Sequence, residues 1–134
     1  NNRSQMQKTG SNTLIVDAYN ANPTSMEAAL NNFTSVVASH KVAMLGDMLE
    51  LGADSLAEHV RIASMALGTD AEAVCFVGSE FAAALKELPS TDRAFSFSNS
   101  DELAHWAADR QFRNCTILIK GSRGIRMEKV IPSL

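Results

Sequence analysis

Three short stretches concentrate side chains of the kinds that bind and activate small molecules. "DAYNANPTSM", residues 17–26, holds Asp17, Tyr19, Asn20 and Asn22 within six positions. "GDMLELG", residues 46–52, holds Asp47 and Glu50. "KGSRG", residues 120–124, holds Lys120, Ser122 and Arg123. A carboxylate accepts hydrogen bonds, and side-chain amides orient amines and carbonyls without adding charge. An arginine can grip a carboxylate or a phosphate bidentately. Converging, the three stretches would suit a ligand with both phosphate and amino-acid character. Each also has a purely architectural reading. Asp17 would cap a turn, Asn20 and Asn22 would be Asx-turn residues before Pro23, Asp47 would cap the turn after Gly46, and Glu50 would be solvated. The Gly-Ser-Arg-Gly turn would be a solvated basic loop, although such a turn before a helix N-terminus also makes a fair anion site.

Other chemistries find less material. "KGSRG" lacks the G-x-x-x-x-G-K-[ST] spacing of a phosphate-binding P-loop. Ser25 and Ser122 have no base close in sequence, so no nucleophilic triad stands out. No His, Cys and Asp cluster has zinc spacing. His59 lies at the border of a helical apolar face and reads as structural, or at most as supporting a site from behind. His40 and His105 read as surface or helix-border residues, and Trp106 and the methionines read as core. A complete stand-alone enzyme is hard to find here; the polar loops look like half of a site.

Alternating strands and helices must position those loops. "TLIVDAY", "KVAMLGDM", "EAVCFVG", "AFSFS" and "CTILIKG" are short apolar runs that predict strands. Between them, "NPTSMEAALNNFTSVV", "SLAEHVRIASMALG", "SEFAAALKEL" and "SDELAHWAADRQF" predict helices. In the first helix Pro23 blocks helix upstream, Thr24 and Glu27 form a capping box, and Met26, Leu30, Phe33 and Val37 share a face. In the second, Leu56, Val60, Ala63 and Leu67 share a face and Gly68 stops the helix. "VGSE" reads as an ordinary turn and N-cap. "IRMEKVIPSL" predicts a short final helix, and "MQKTG" an additional edge strand. Strands apolar on both faces and separated by helices imply a parallel sheet covered on both sides. The expected fold is therefore one α/β domain over residues 1–134: a Rossmann-like, open, mostly parallel sheet with helices on both faces and room for one antiparallel edge strand. In such folds ligands bind beyond the carboxyl ends of the strands, where all three polar stretches fall.

Composition narrows the class without naming a function. The 134 residues are 46% hydrophobic and 20% charged, as in soluble globular domains. A formal net charge of -3 argues against a nucleic-acid or membrane surface, which would need basic excess. No apolar run approaches the roughly 18 residues of a membrane span, and "NNRSQMQKTG" has no apolar segment of a signal peptide. Cys75 and Cys115 sit in strand-like runs and read as buried free thiols of a reducing, cytoplasmic compartment.

"DAYNANPTSM", "MLGDMLELG" with a downstream His59, and "ILIKGSRGIRMEKV" together resemble the C-terminal domain of the Mur ligases. "YNANP" resembles in particular the branch that adds D-Ala-D-Ala in peptidoglycan precursor synthesis. The resemblance runs from "NNRSQ" to the final helix; the substrate domain and central ATPase domain of such ligases are not in this chain. It implies an ATP-dependent amide ligase in which ATP phosphorylates the terminal carboxylate of UDP-N-acetylmuramoyl-tripeptide and the amine of D-Ala-D-Ala attacks the acyl phosphate. It implies ATP and Mg2+ in the full-length enzyme, with magnesium ligands mostly outside this chain, and the central ATPase domain as partner. The isolated domain would be inactive. By the same resemblance Arg3 would reach the ATP phosphates from the domain hinge, and Asp17 would contact the nucleotide through ribose hydroxyls. Tyr19, Asn20 and Asn22 would lie beside the incoming dipeptide. Lys120, Ser122 and Arg123 would meet its carboxylate or the oxyanion of the tetrahedral intermediate. Asp47 would orient the amine or hold a neighbouring basic group. Arg3, Asp17 and Lys120 would be the catalytic set. The competing readings are an independent α/β module binding a nucleotide or amino acid, and a domain of another Mur or folylpolyglutamate-type ligase.

Overall fold

The structure is a computed structural model and describes residues 5–134. Six strands form one sheet: β1 (Gln5–Lys8), β2 (Thr13–Asp17), β3 (Lys41–Gly46), β4 (Ala73–Val77), β5 (Ala94–Phe97) and β6 (Thr116–Lys120). Their spatial order is β1-β2-β6-β3-β4-β5. β1 pairs antiparallel with β2, and the other pairings are parallel. The edge strand expected at "MQKTG" therefore forms, and the sheet is mostly parallel as its apolar strands imply. β3 and β4 are buried along their whole length, as strands covered on both faces must be.

The helices are α1 (Pro23–Ser35), α2 (Ser55–Leu67), α3 (Ser79–Leu85) and α4 (Ser100–Arg110). One face of the sheet packs Ala43, Leu45, Val74, Phe76 and Leu118 against Met26, Leu30 and Phe33 of α1, Ile62, Ala63 and Ala66 of α2, and Phe81 of α3. The opposite face packs Leu14, Val42, Met44, Cys75 and Ile117 against Leu103 and Ala107 of α4 and against Met127 and Val130. The chain runs out along one face from β3 to β5, then returns beneath the other through α4. This return inserts β6 between β2 and β3, and that insertion brings the three polar loops together.

Several local expectations need correction. The capping box of α1 is Asn22 with Ser25, not Thr24 with Glu27: Asn22 Oδ1 accepts from the Ser25 amide at 2.8 Å and Ser25 Oγ accepts from the Asn22 amide at 3.0 Å. Glu27 instead pairs with Arg61 across the surface. α1 ends before Val37, which is 99% exposed, because Val36 already turns extended. The buried face of α2 is His59, Ile62, Ala63 and Ala66, rotated from the expected one, and Leu56 is exposed. Histidine can take an inward position because both ring nitrogens find partners, whereas Leu56 sits exposed in the first turn. The short final helix does form, over Met127–Ser133, as a 3₁₀ helix carrying Pro132. The turn "VGSE" is not ordinary either, for a reason that belongs to the site.

Candidate functional site at the carboxyl edge

Parallel pairing sets Asp17 opposite Lys120, and Lys120 opposite Leu45, so the ends of β2, β6 and β3 lie in one row. Residues in register on adjacent strands point the same way. Lys120 Nζ consequently meets Asp17 Oδ2 at 2.6 Å and also donates to the Asn20 carbonyl at 3.0 Å. Both residues of the pair are buried. A buried ion pair repays its desolvation only when the remaining hydrogen-bonding positions are filled. Here one is not: Asp17 Oδ1 is buried and has no hydrogen-bond partner among the described residues. A carboxylate oxygen held in this way is ready to accept from a donor brought by a ligand.

The loop after β6 is tied to both neighbours through Ser122. Its hydroxyl accepts from the Leu49 amide at 2.9 Å and donates to the Ala21 carbonyl at 3.4 Å, and its own amide donates to the Asp47 carbonyl at 3.1 Å. Gly121 permits this close approach: a Cβ there would lie 2.7 Å from Met127 Cγ and 3.0 Å from Gly46 Cα. Arg123 follows, exposed, with its guanidinium 5.2 Å from the centre of the half-exposed Tyr19 ring, within cation–π range. Asn20 and Asn22 are exposed, the latter already committed to capping α1.

Asp47 turns away from this row. Its two carboxylate oxygens accept from the amides of Glu80 at 3.0 Å and Phe81 at 2.9 Å, so the end of β3 caps α3 from a distance. Gly78 makes room: its φ is +116, and a Cβ there would fall 2.2 Å from Asp47 Oδ2. Burial pushes the Asp47 carboxyl up from its ordinary value, against the lowering effect of the two amide bonds. His59 is fully buried. Its Nε2 accepts from the Met48 amide at 3.0 Å and its Nδ1 donates to the Ser55 carbonyl at 2.8 Å, which fixes a neutral ring with the proton on Nδ1. The ring meets Phe81 edge to face, with centroids 4.6 Å apart.

The structure therefore brings together Asp17, Lys120, Ser122, Arg123, Tyr19 and Asn20, and sets Asp47 behind them as a brace. Arg3 lies outside the described residues. Two features of this edge exceed what their sequence context suggests: the inward His59 and the turn at Gly78. One signal was available: α3 starts at Ser79 after a glycine that has no side chain to cap it, so an acceptor had to come from elsewhere in the fold. Among the described residues, no group of three or more His, Cys, Asp or Glu side chains is placed to hold a metal ion. No helix among them is long and apolar enough to cross a membrane.

A family model described as "Mur ligase, glutamate ligase domain" matches residues 2–123. The chain is 38% identical over 125 residues to the UDP-N-acetylmuramoyl-tripeptide–D-alanyl-D-alanine ligase of Treponema pallidum, a match covering 91% of this chain and 27% of that protein. It superposes on a crystal structure of MurF from Acinetobacter baumannii with a TM-score of 0.84 at 29% identity, over 98% of this chain and 29% of that one. The fold also matches MurF of Thermotoga maritima in complex with ADP, with a TM-score of 0.79 at 21% identity, over 98% of this chain and 30% of that one. The chain thus spans about a quarter to a third of the length of these proteins.

Proposed function

The chain belongs to the Mur ligase family, and from that premise we propose that it serves as the C-terminal domain of a MurF-type ligase. The proposed reaction joins D-Ala-D-Ala to UDP-N-acetylmuramoyl-tripeptide at the expense of ATP. ATP phosphorylates the terminal carboxylate of the tripeptide, releasing ADP. The dipeptide amine then adds to the acyl phosphate, and the tetrahedral intermediate loses phosphate and a proton to leave an amide. The proposed compartment is the cytoplasm, and the proposed intramolecular partner is a central ATPase domain. The ADP of the Thermotoga maritima complex is in keeping with ATP as nucleotide. Magnesium, held typically by one or two carboxylates together with substrate phosphates, is assigned ligands mostly outside this chain.

The observation that carries this reading is the Asp17–Lys120 pair with its unfilled Oδ1. Oδ1 can accept from a ribose hydroxyl, and Lys120, bonded to Oδ2, holds the carboxylate in place for it. Two N–H groups of Lys120 go to Asp17 and Asn20; the third is assigned to the dipeptide carboxylate or the oxyanion of the intermediate. Arg123, leaning on Tyr19, has the fork geometry to bind the dipeptide carboxylate. Ser122 is assigned to the same end of the dipeptide through the loop it shapes. Tyr19, Asn20 and Asn22 form the rim beside the dipeptide, and Asp47 supports the amine's side of the site indirectly, by holding the end of β3 in place. Arg3 is assigned to the ATP phosphates. None of these groups alone activates a carboxylate, which is why the isolated domain is proposed to be inactive. Bringing the domain over the ATPase domain would exclude water from the acyl phosphate.

The test is release of ADP by the full-length protein with UDP-N-acetylmuramoyl-tripeptide, ATP and a panel of amine donors, in wild type and Asp17→Asn. D-Ala-D-Ala as preferred donor, with a rise in the KM for ATP in the variant, is expected. Exclusive use of another amine would overturn the assignment.

A further inference from the structure

Three consecutive amides at the end of β3 are each held by a different element. The Asp47 amide donates to the Val77 carbonyl of β4 at 2.9 Å, the Met48 amide to His59 Nε2 of α2 at 3.0 Å, and the Leu49 amide to Ser122 Oγ at 2.9 Å. Loop amides usually face solvent or water. Here the middle one ends on a fully buried imidazole, whose other nitrogen is spent on Ser55. The held segment then supports the basic loop: Leu49 Cδ1 lies 3.1 Å from where a Cβ of Gly124 would stand, and Ser122 directly precedes Arg123. A contiguous path of contacts runs from His59 through Met48, Leu49 and Ser122 to the guanidinium over Tyr19.

We propose that His59 is a positioning residue of the ligase site, acting through the Met48 amide to set Arg123 against Tyr19. The proposal rests on the ligase reading above. His59 touches no substrate; it fixes the backbone on which the dipeptide-binding side chains stand. Misplacement of a binding group by about 1 Å from a distant change can cost on the order of 100-fold in rate. The effect of losing His59 falls on the dipeptide side, because Asp17 and Lys120 are held by the strand register of β2 and β6 and not by this path.

Two polar replacements separate the two ring nitrogens. In His59→Gln the amide oxygen reaches the position of Nε2 and can still accept from Met48. In His59→Asn the shorter side chain reaches only the Nδ1 side and leaves the Met48 amide unpaired. In the full-length enzyme, His59→Asn is expected to raise the KM for D-Ala-D-Ala about ten-fold while the KM for ATP stays within about two-fold, and His59→Gln to recover most of the loss. Ser122→Ala breaks the next link without entering the core and is expected to give the same split. Hydrogen exchange of the peptide spanning residues 47–50 should quicken in His59→Asn and stay slow in His59→Gln. Equal impairment of Gln and Asn variants, no impairment in either, or a parallel rise of both KM values would overturn the proposal. Failure of the wild type to use the dipeptide would instead sink the ligase reading. The exchange comparison would then decide the role of His59 at the loop by itself.

Discussion

The sheet buries two lysines, one at each end, and they live differently. Lys41 opens β3 at the amino edge; its ammonium donates to the Val36 carbonyl at 2.9 Å, pairs with Asp70 at 2.9 Å and lies 4.8 Å from the centre of the Phe33 ring. Asp70 is mostly exposed, so water completes its shell. The lysine closes the C-terminal end of α1, where a cation is favoured. Lys120 ends β6 at the carboxyl edge, and its partner Asp17 is buried with one oxygen unfilled. The amino edge repeats the first pattern elsewhere. Asn12 gives its side-chain amide to the Phe112 and Leu134 carbonyls and accepts from the Cys115 amide. Arg93 spends its guanidinium on the carbonyls of Leu67, Thr69 and Ala71. Polar groups at the amino edge complete the fold. At the carboxyl edge Asp17 Oδ1 is left over, and under the proposed function that oxygen marks the working end of the domain.

The most severe way to break this comparison is Asp17→Ala, which strands Lys120 as an uncompensated buried charge. Removing one partner of a buried pair costs about 3–5 kcal/mol. The full-length variant is expected to melt earlier and to lose about 1000-fold in ligation rate, read by ADP release at a temperature where circular dichroism shows it folded. Stability unchanged on substitution would mean that the pair is not buried as described. A smaller effect should come from Gly78→Ala, which tests architecture at the same edge. The new Cβ would strike the Asp47 carboxylate and hold an unfavourable positive φ. A loss of about 2–3 kcal/mol in chemical denaturation is expected.

Smallest is a pH effect from Asp47. Its carboxyl is raised on folding, chiefly by burial, from an ordinary value of 3.8. An acid raised on folding stabilises the fold fully below that ordinary value, and the contribution is lost as pH rises through the raised one. Wild-type stability relative to Asp47→Asn should therefore decline as pH climbs through the window above 3.8 and then level off, as urea titrations at stepped pH would show. A relative stability that grew with pH would mean the two amide bonds to Glu80 and Phe81 outweigh burial.

Much of the architecture was legible in the sequence because strand and helix periods differ and because Pro23 and Gly68 punctuate them. The convergence of three loops was legible for the same reason: a parallel sheet gathers its strand ends at one edge. Side-chain commitments were harder to read. Leu56 outranks His59 on any apolar scale, yet His59 faces inward, with a tertiary bond from the Met48 amide and a bond to the Ser55 carbonyl one turn back in α2. Asp47 sits in a loop that looks like a ligand loop, and nothing local shows that α3, more than 30 residues on, lacks a cap of its own. Asn22 and Ser25 competed with Thr24 and Glu27 for the same capping role; the choice depends on where the chain leaves β2. The burial of Cys75 was readable from its apolar run, and the structure pushes its thiol up to about 12, out of reach of ordinary oxidation.

The most direct test sets the two buried lysines side by side in the full-length protein: kcat/KM for D-Ala-D-Ala in Lys41→Met and Lys120→Met, with thermal melts of both. Methionine keeps the stem and removes the charge. Both variants are expected to lose stability, Lys41→Met to keep activity within about two-fold, and Lys120→Met to fall about 100-fold. Equal activity in the two variants would contradict this, since the carboxyl edge would then hold its charge for the fold alone, as the amino edge does.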